Sequence, residues 1–128
     1  MLSAMTTAKP DRSQARPAAH PEWFEGQVLM QTLVGTDRSQ ELDIVAVFFE
    51  GGARTIPHTH ATDQVLLVVS GECVVADDSG RRRCGPGDFV LLPAHQWHWH
   101  GAAPGQSMCH VSIRQPGPTD WTVERRDW

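Results

Sequence analysis

The sequence predicts an all-β, single-domain protein, and three observations carry that expectation. Short apolar runs rich in Val, Leu, Ile and Phe recur from Trp23 onward, separated by Gly, Pro, Asp and Ser clusters. No stretch holds a 3.6-residue apolar period for three turns. The length, 128 residues, suits one core big enough to need no disulfide or metal staple.

Taken in order, residues 1–20 are rich in Ala, Pro, Ser, Thr and Gln and lack periodicity. Such a segment buries too little surface to offset its ordering entropy, so a flexible tail is expected there and the folded domain over 21–128. His20, at the end of the tail, reads as a surface residue. "HPEWFEGQ" has room for one helical turn. Strands are expected at Val28–Val34, Leu42–Glu50, Thr55–His60, Gln64–Val69, Glu72–Ala76, Arg82–Cys84, Phe89–Leu92, His98–Gly101, Met108–Arg114 and Trp121–Glu124. "SG" at Ser70–Gly71 and "DDSG" at Asp77–Gly80 supply turn chemistry between neighbours. In "LDIVAVFFE" both parities are apolar, with Ile44, Ala46 and Phe48 on one face and Val45, Val47 and Phe49 on the other. A strand of this kind is covered on both sides, either by a second subunit or by the chain's own tail.

Composition narrows the function classes. Hydrophobic residues make up 40% and charged residues 20%, a globular balance, and 11 basic against 15 acidic residues give a formal charge of -4. The one basic block, Arg81 to Arg83, follows "DDSG" and reads as a hairpin tip, so nucleic acid is not an expected partner. Cys73, Cys84 and Cys109 cannot all pair within one chain and lack zinc-knuckle spacing; reduced thiols in a cytoplasmic protein are expected. The N-terminus has no secretory apolar core, and no run approaches a membrane span.

The histidines carry the chemistry. Side chains two apart on a strand share a face, so His58 and His60 project together, as do His98 and His100 in "HQWHWHG". Trp97 and Trp99 alternate with them and face the core or a partner. His110 lies on a further strand, its face shared with Ser112 and Arg114. Three strands offering neutral imidazole to one interior make a metal cage, and imidazole suits Zn, Fe, Mn, Ni or Cu. A satisfied core pair or a surface pair fits the same His-x-His spacing.

A wider pattern joins them. Gly52, five residues, His58-Thr59-His60, three residues, Gln64, six residues, Gly71 resembles the first motif of the cupin family. "GDFVLLPAHQWHWHGA" (Gly87, Pro93, His98) resembles the second, the two together spanning Gly52 to Ala102. The resemblance implies a double-stranded β-helix, or jelly-roll barrel, and makes His58, His60, Gln64 and His98 the candidate ligands of a divalent ion. Three positions depart from the family pattern: Gln64 stands where Glu is usual, His95 where the turn glycine is usual, and Ala102 where Asn is usual. Gln64 changes the chemistry. Three imidazoles and a carboxamide leave a dication its full charge, favouring Lewis acidity over oxygen activation.

"GARTIPHTHATDQ", "HWHGAAPGQSMCH" and "DW" at Asp120–Trp121 resemble more closely the small single-domain bacterial cupins that include manganese-dependent, R-selective hydroxynitrile lyases. That resemblance implies manganese as the ion, with Fe, Zn, Ni or Co as alternatives. It implies His110 as general base and places His100 beside the same site, with a homodimer or homotetramer as the assembly. Thr55, odd in parity to His58, falls on the other face unless Pro57 disrupts the pleat; it is carried as a candidate for holding a small-molecule substrate. Val45 and Val47 are candidate pocket walls. Arg114, on the His110 face, either attracts a substrate carboxylate at the pocket mouth or is solvated at the strand end. Three functions compete: a redox-neutral metal-dependent lyase on a hydroxy-carbonyl or cyanohydrin substrate, an iron-dependent dioxygenase, and a metal-bearing binding or sensor module without turnover.

Overall fold

The computed structural model describes residues 4–126. Its strands are β1 (Arg16–Pro17), β2 (Phe24–Glu25), β3 (Val28–Val34), β4 (Asp43–Phe49), β5 (Arg54–Thr55), β6 (Thr59–His60) and β7 (Gln64–Gly71), then β8 (Cys73–Asp77), β9 (Gly80–Cys84), β10 (Phe89–Leu92), β11 (Trp99–Ala102), β12 (Met108–Arg114) and β13 (Thr119–Asp120). Among the described residues, helical structure is confined to short 3-10 turns at Arg12–Gln14 and Pro21–Trp23. A six-stranded sheet runs β1-β3-β4-β12-β7-β10 and a five-stranded sheet runs β2-β5-β11-β8-β9, while β13 and β6 pair at one end. The two larger sheets face each other as a jelly roll, the all-β class expected.

The alternation of each strand decides what fills the space between the sheets. From the large sheet Val28, Val47, Phe49, Leu66, Val68 and Met108 point inward, and they meet Cys73, Val75 and Ala102 of the small one. The polar inward positions are concentrated at one end: Gln64 on β7, His100 on β11, and His110, Ser112 and Arg114 on β12. The interior is thus a core at one end and a cavity at the other.

The second apolar face of β4 is accounted for within the chain. Ala46 and Phe48 cluster with Leu29, Cys109 and Val111 on the outside of the large sheet, with Ala15 packed against them. Residues 9–17 of the expected flexible tail are docked against this sheet. Arg16 and Pro17 pair with Met30 and Leu29, Asp11 N–H donates to Gln31 at 2.8 Å, and Arg12 Nε donates to Glu50 at 2.9 Å. Low sequence hydrophobicity hid a segment that docks through backbone and ion pairing rather than through apolar burial. Residues 1–3 of the expected tail lie outside the described residues.

Two strand expectations are corrected. Thr55–His60 is not one strand: Pro57, without an N–H and with φ locked, divides it into β5 and β6, which join different sheets. The expected strand at Trp121–Glu124 is absent; the C-terminal pairing is made two residues earlier by β13. The departure at His95 is real in the backbone, which adopts φ 67 there, the left-handed region the family fills with glycine. Its N–H donates to His60 O at 2.7 Å, tying the turn to the site.

Trp97 and Trp99 face away from the histidines, as alternation requires, and pack with Val74, Ala76 and Ala103. Arg54 and Arg81 lie over the Trp99 ring at 4.8 and 5.2 Å. The cysteines are free thiols; burial raises Cys73 to about 12 and Cys109 to about 11, so neither is a thiolate at neutral pH. No helix among the described residues is long and apolar enough to cross a membrane.

Candidate metal centre

His58 and His98 face each other across an isolated antiparallel bridge, with His58 N–H to His98 O at 2.9 Å and the reciprocal bond at 3.1 Å. Directly opposed residues put their side chains side by side. Their ring centroids are 4.3 Å apart, and His60, two residues along, brings its ring within 4.8 Å of His58 and 5.3 Å of His98. Ligand nitrogens of all three lie within 4.8 Å of one another, and all three residues are buried. They are near enough to share one ion.

The outer contacts of these rings select which nitrogen faces inward. His58 Nδ1 lies 2.8 Å from Ile56 O and His98 Nδ1 lies 3.0 Å from Gln96 O, contacts that require Nδ1–H to donate. His60 Nδ1 sits 2.8 Å from the Thr119 hydroxyl. The Nε2 lone pairs are left for the interior, the arrangement by which outer hydrogen bonds orient ligating imidazoles. Gln64 is held in the same way: its Nε2 donates to Ser112 Oγ at 2.8 Å, which turns Oε1 the other way. Nε2 of His60, Nε2 of His98 and Oε1 of Gln64 are buried without a hydrogen-bond partner among the described residues. Buried acceptors left without partners are costly unless a cation satisfies them, so this donor set fits a divalent ion.

Electrostatics agree. Burial, with the neighbouring His98 adding to it, pushes His60 down to about 3, and burial also lowers His58 and His98. A ligating imidazole must be neutral, and this cavity keeps it neutral without help. Gln64 and Ser112 come from paired strands, since β12 and β7 align Ser112 with Leu66 and Arg114 with Gln64.

Two further imidazoles stand beyond the three. His110 is fully buried and His100 nearly so, and His110 Nε2 lies 2.9 Å from His100 Nδ1. The register of β12 on β7 shifts between Cys109 and His110, an irregularity of the kind that re-aims a side chain beside a site. Burial lowers His110 to about 4 and His100 well below its usual value. The outer nitrogens, His110 Nδ1 and His100 Nε2, are both buried without a partner.

One cavity of about 440 Å³ joins the imidazole pair to two of the clustered histidines. Its lining includes His58, His60, Gln64, His100 and His110, with apolar walls from Val45, Val47 and Phe49. Thr55 is part of it too, against the parity expectation. Pro57 breaks the pleat, so Thr55 and His58 both turn inward, and Thr55 Oγ1 accepts from His100 N–H at 3.2 Å. Arg114 is not solvated at a strand end: its side chain is 19% exposed and lines the cavity.

Three contributors have roles that the sequence does not assign, although Ser112 falls on the His110 face and Trp121 within "DW". Ser112 shares parity with His110, yet only the β12–β7 register shows that it orients Gln64. Thr119 reaches His60 because β13 pairs with β6, a contact 59 residues apart in sequence. Trp121 follows, its ring 4.2 Å from His58 and stacked on Trp23 at 4.7 Å, and it closes one wall.

Comparison with known proteins places this geometry among relatives. The chain matches the Cupin domain family over residues 45–113. It is 37% identical over 105 residues, 80% of this chain and 79% of the relative, to an (R)-mandelonitrile lyase of Granulicella tundricola. A cupin-like protein of Thermotoga maritima is 32% identical with a TM-score of 0.75, covering 80% of this chain and 81% of that one. The polyketide cyclase RemF of Streptomyces resistomycificus shares the fold, at 18% identity and a TM-score of 0.77 over 95% of this chain and 89% of its own.

Proposed function

Because the chain belongs to the cupin domain family, we propose that its cavity is the active site of a redox-neutral, metal-dependent lyase of the hydroxynitrile-lyase type. The observation that carries this reading is the placement of a non-ligating imidazole pair in the same cavity as His58, His60 and Gln64. His58, His60, His98 and Gln64 would hold the ion, manganese in the first instance, and when bound it would supply Lewis acidity toward a substrate oxygen.

The chain's own residues do the proton work. The two neutral imidazoles share one hydrogen bond, so one donates and the other accepts. Whichever way the bond runs, one outer nitrogen carries a hydrogen and the other is a bare lone pair. The pair therefore offers the cavity one proton acceptor and one hydrogen-bond donor at any moment. With a cyanohydrin, the base end takes the hydroxyl proton, the O–H electrons become the carbonyl π bond, and cyanide leaves with the C–C electron pair. Return of the proton to cyanide yields an aldehyde and hydrogen cyanide, with no electrons gained or lost overall. The walls of Val45, Val47 and Phe49 exclude water and accept an apolar substrate body. Thr55 holds the β11 backbone at His100 and so positions the pair.

The test is mandelonitrile supplied to manganese-loaded protein. Benzaldehyde and cyanide should appear in equal amounts with no oxygen consumed. Turnover that draws oxygen, or none at all, contradicts the reading.

The homo-oligomer expected above is also proposed, seated on the outer face of β7 and β10. Leu67, Val69, Phe89 and Leu91 are exposed there, Phe89 at 72%, and β10 is the sheet edge. A second copy of the chain would cover strip with strip, as two-fold contacts do. Phe89→Glu should lower the solution mass toward that of a single chain by light scattering; an unchanged oligomeric mass contradicts this seat.

A further inference from the structure

We infer that the substrate of this cavity carries a carboxylate, and that Arg114 is the residue that selects it; the inference builds on the lyase reading by naming the substrate class. The alternation of β12 places His110, Ser112 and Arg114 on one face, so the proton-handling group, the group orienting a ligand and a guanidinium follow one another along the cavity wall. Arg114 is aligned with Gln64 in the β12–β7 register, which sets it beside the ligand cluster rather than across the fold from it.

The guanidinium is poorly engaged for a group so covered. It donates one hydrogen bond, Nη1 to Gly117 O at 3.1 Å, and Asp43 approaches Nη2 only to 3.8 Å. Arginine has five N–H donors in a fork that matches a carboxylate.

Charge balance points the same way. Asp43 and Arg114 are the ionic residues that line the cavity, and they cancel. A dication on three imidazoles and a carboxamide then leaves the cavity strongly positive in partly dry surroundings, where an anionic ligand is favoured. The apolar walls, with Trp23 and Trp121 among them, suit a hydrocarbon or aromatic body between the two polar ends. The ligand class is therefore a small hydroxy or oxo compound, apolar in its middle, with a carboxylate directed at Arg114.

The experiment has a binding arm and a turnover arm, both on the manganese-loaded full chain. In calorimetric titration, 4-(hydroxymethyl)benzoate should bind about ten- to hundredfold more tightly than benzyl alcohol, the size of a charged hydrogen-bonded pair. Arg114→Gln should remove that preference with benzyl alcohol binding unchanged, and Arg114→Lys should restore part of it. Ion content and thermal unfolding establish that both variants fold. In the second arm, 4-carboxymandelonitrile should be cleaved in preference to mandelonitrile by the parent protein and not by Arg114→Gln. A preference that survives Arg114→Gln overturns the inference. If neither cyanohydrin is cleaved but the Arg114-dependent binding preference holds, the lyase reading fails and the assignment of Arg114 stands.

Discussion

Replacing His110 by glutamine is expected to lower mandelonitrile turnover by about a hundredfold to ten-thousandfold, the usual contribution of a positioned acid–base group, with the ion content of the protein unchanged. The separation of the two readouts follows from the geometry. His110 faces the cavity but bonds to His100, not to the cluster of His58, His60 and His98. Glutamine can occupy the space and make a hydrogen bond to His100, but it lacks the basic ring nitrogen that accepts the hydroxyl proton during the reaction. Turnover within tenfold of the parent would remove His110 from the chemistry, and loss of the ion would make it a structural support of the metal centre instead.

The second large effect is on stability in acid. Burial holds His60 near 3 and His110 near 4, whereas an imidazole in the unfolded chain titrates near its ordinary 6.5. Between those values the unfolded chain binds protons that the folded chain refuses. The stabilising contribution is fully present above pH 6.5 and is lost as the pH falls toward 4 and then 3, at up to about 1.4 kcal/mol per pH unit for each such histidine. Urea unfolding of ion-free protein should give a constant free energy between pH 8 and 7 and a steep decline from 6.5 to 5. That window lies above the range of ordinary carboxylates, so the decline reports on the histidines. A flat profile down to pH 5 would show that these imidazoles are not buried neutral groups.

Much of this site was legible before any coordinates. A period of two on strands paired His58 with His60 and His98 with His100, and the resemblance to the two cupin motifs singled out His58, His60, Gln64 and His98 as candidate ligands. The same alternation placed Trp97 and Trp99 outside and grouped His110 with Ser112 and Arg114. It failed where a local feature overrode the period. Pro57 interrupts a run that otherwise reads as one strand, and it turns Thr55 into the cavity that parity denied it. Composition failed at the N-terminus, where Asp11, Arg12 and Arg16 dock through hydrogen bonds and pairing that hydropathy does not register. Contacts that close the site from the C-terminal segment, Thr119 to His60 and Trp121 to His58, depend on β13 meeting β6. Pairings that distant in sequence are set by the assembled barrel, and no local pattern announces them.

The most direct test of the central claim is elemental analysis of protein purified without added metal, set beside a variant in which His58, His60 and His98 are all alanine. The parent should carry about one divalent first-row ion per chain, the stoichiometry of a single closed donor set, and the variant none. Equal ion content in the two proteins would contradict the account, since the orphaned nitrogens that converge in this cavity would then have no part in holding the ion.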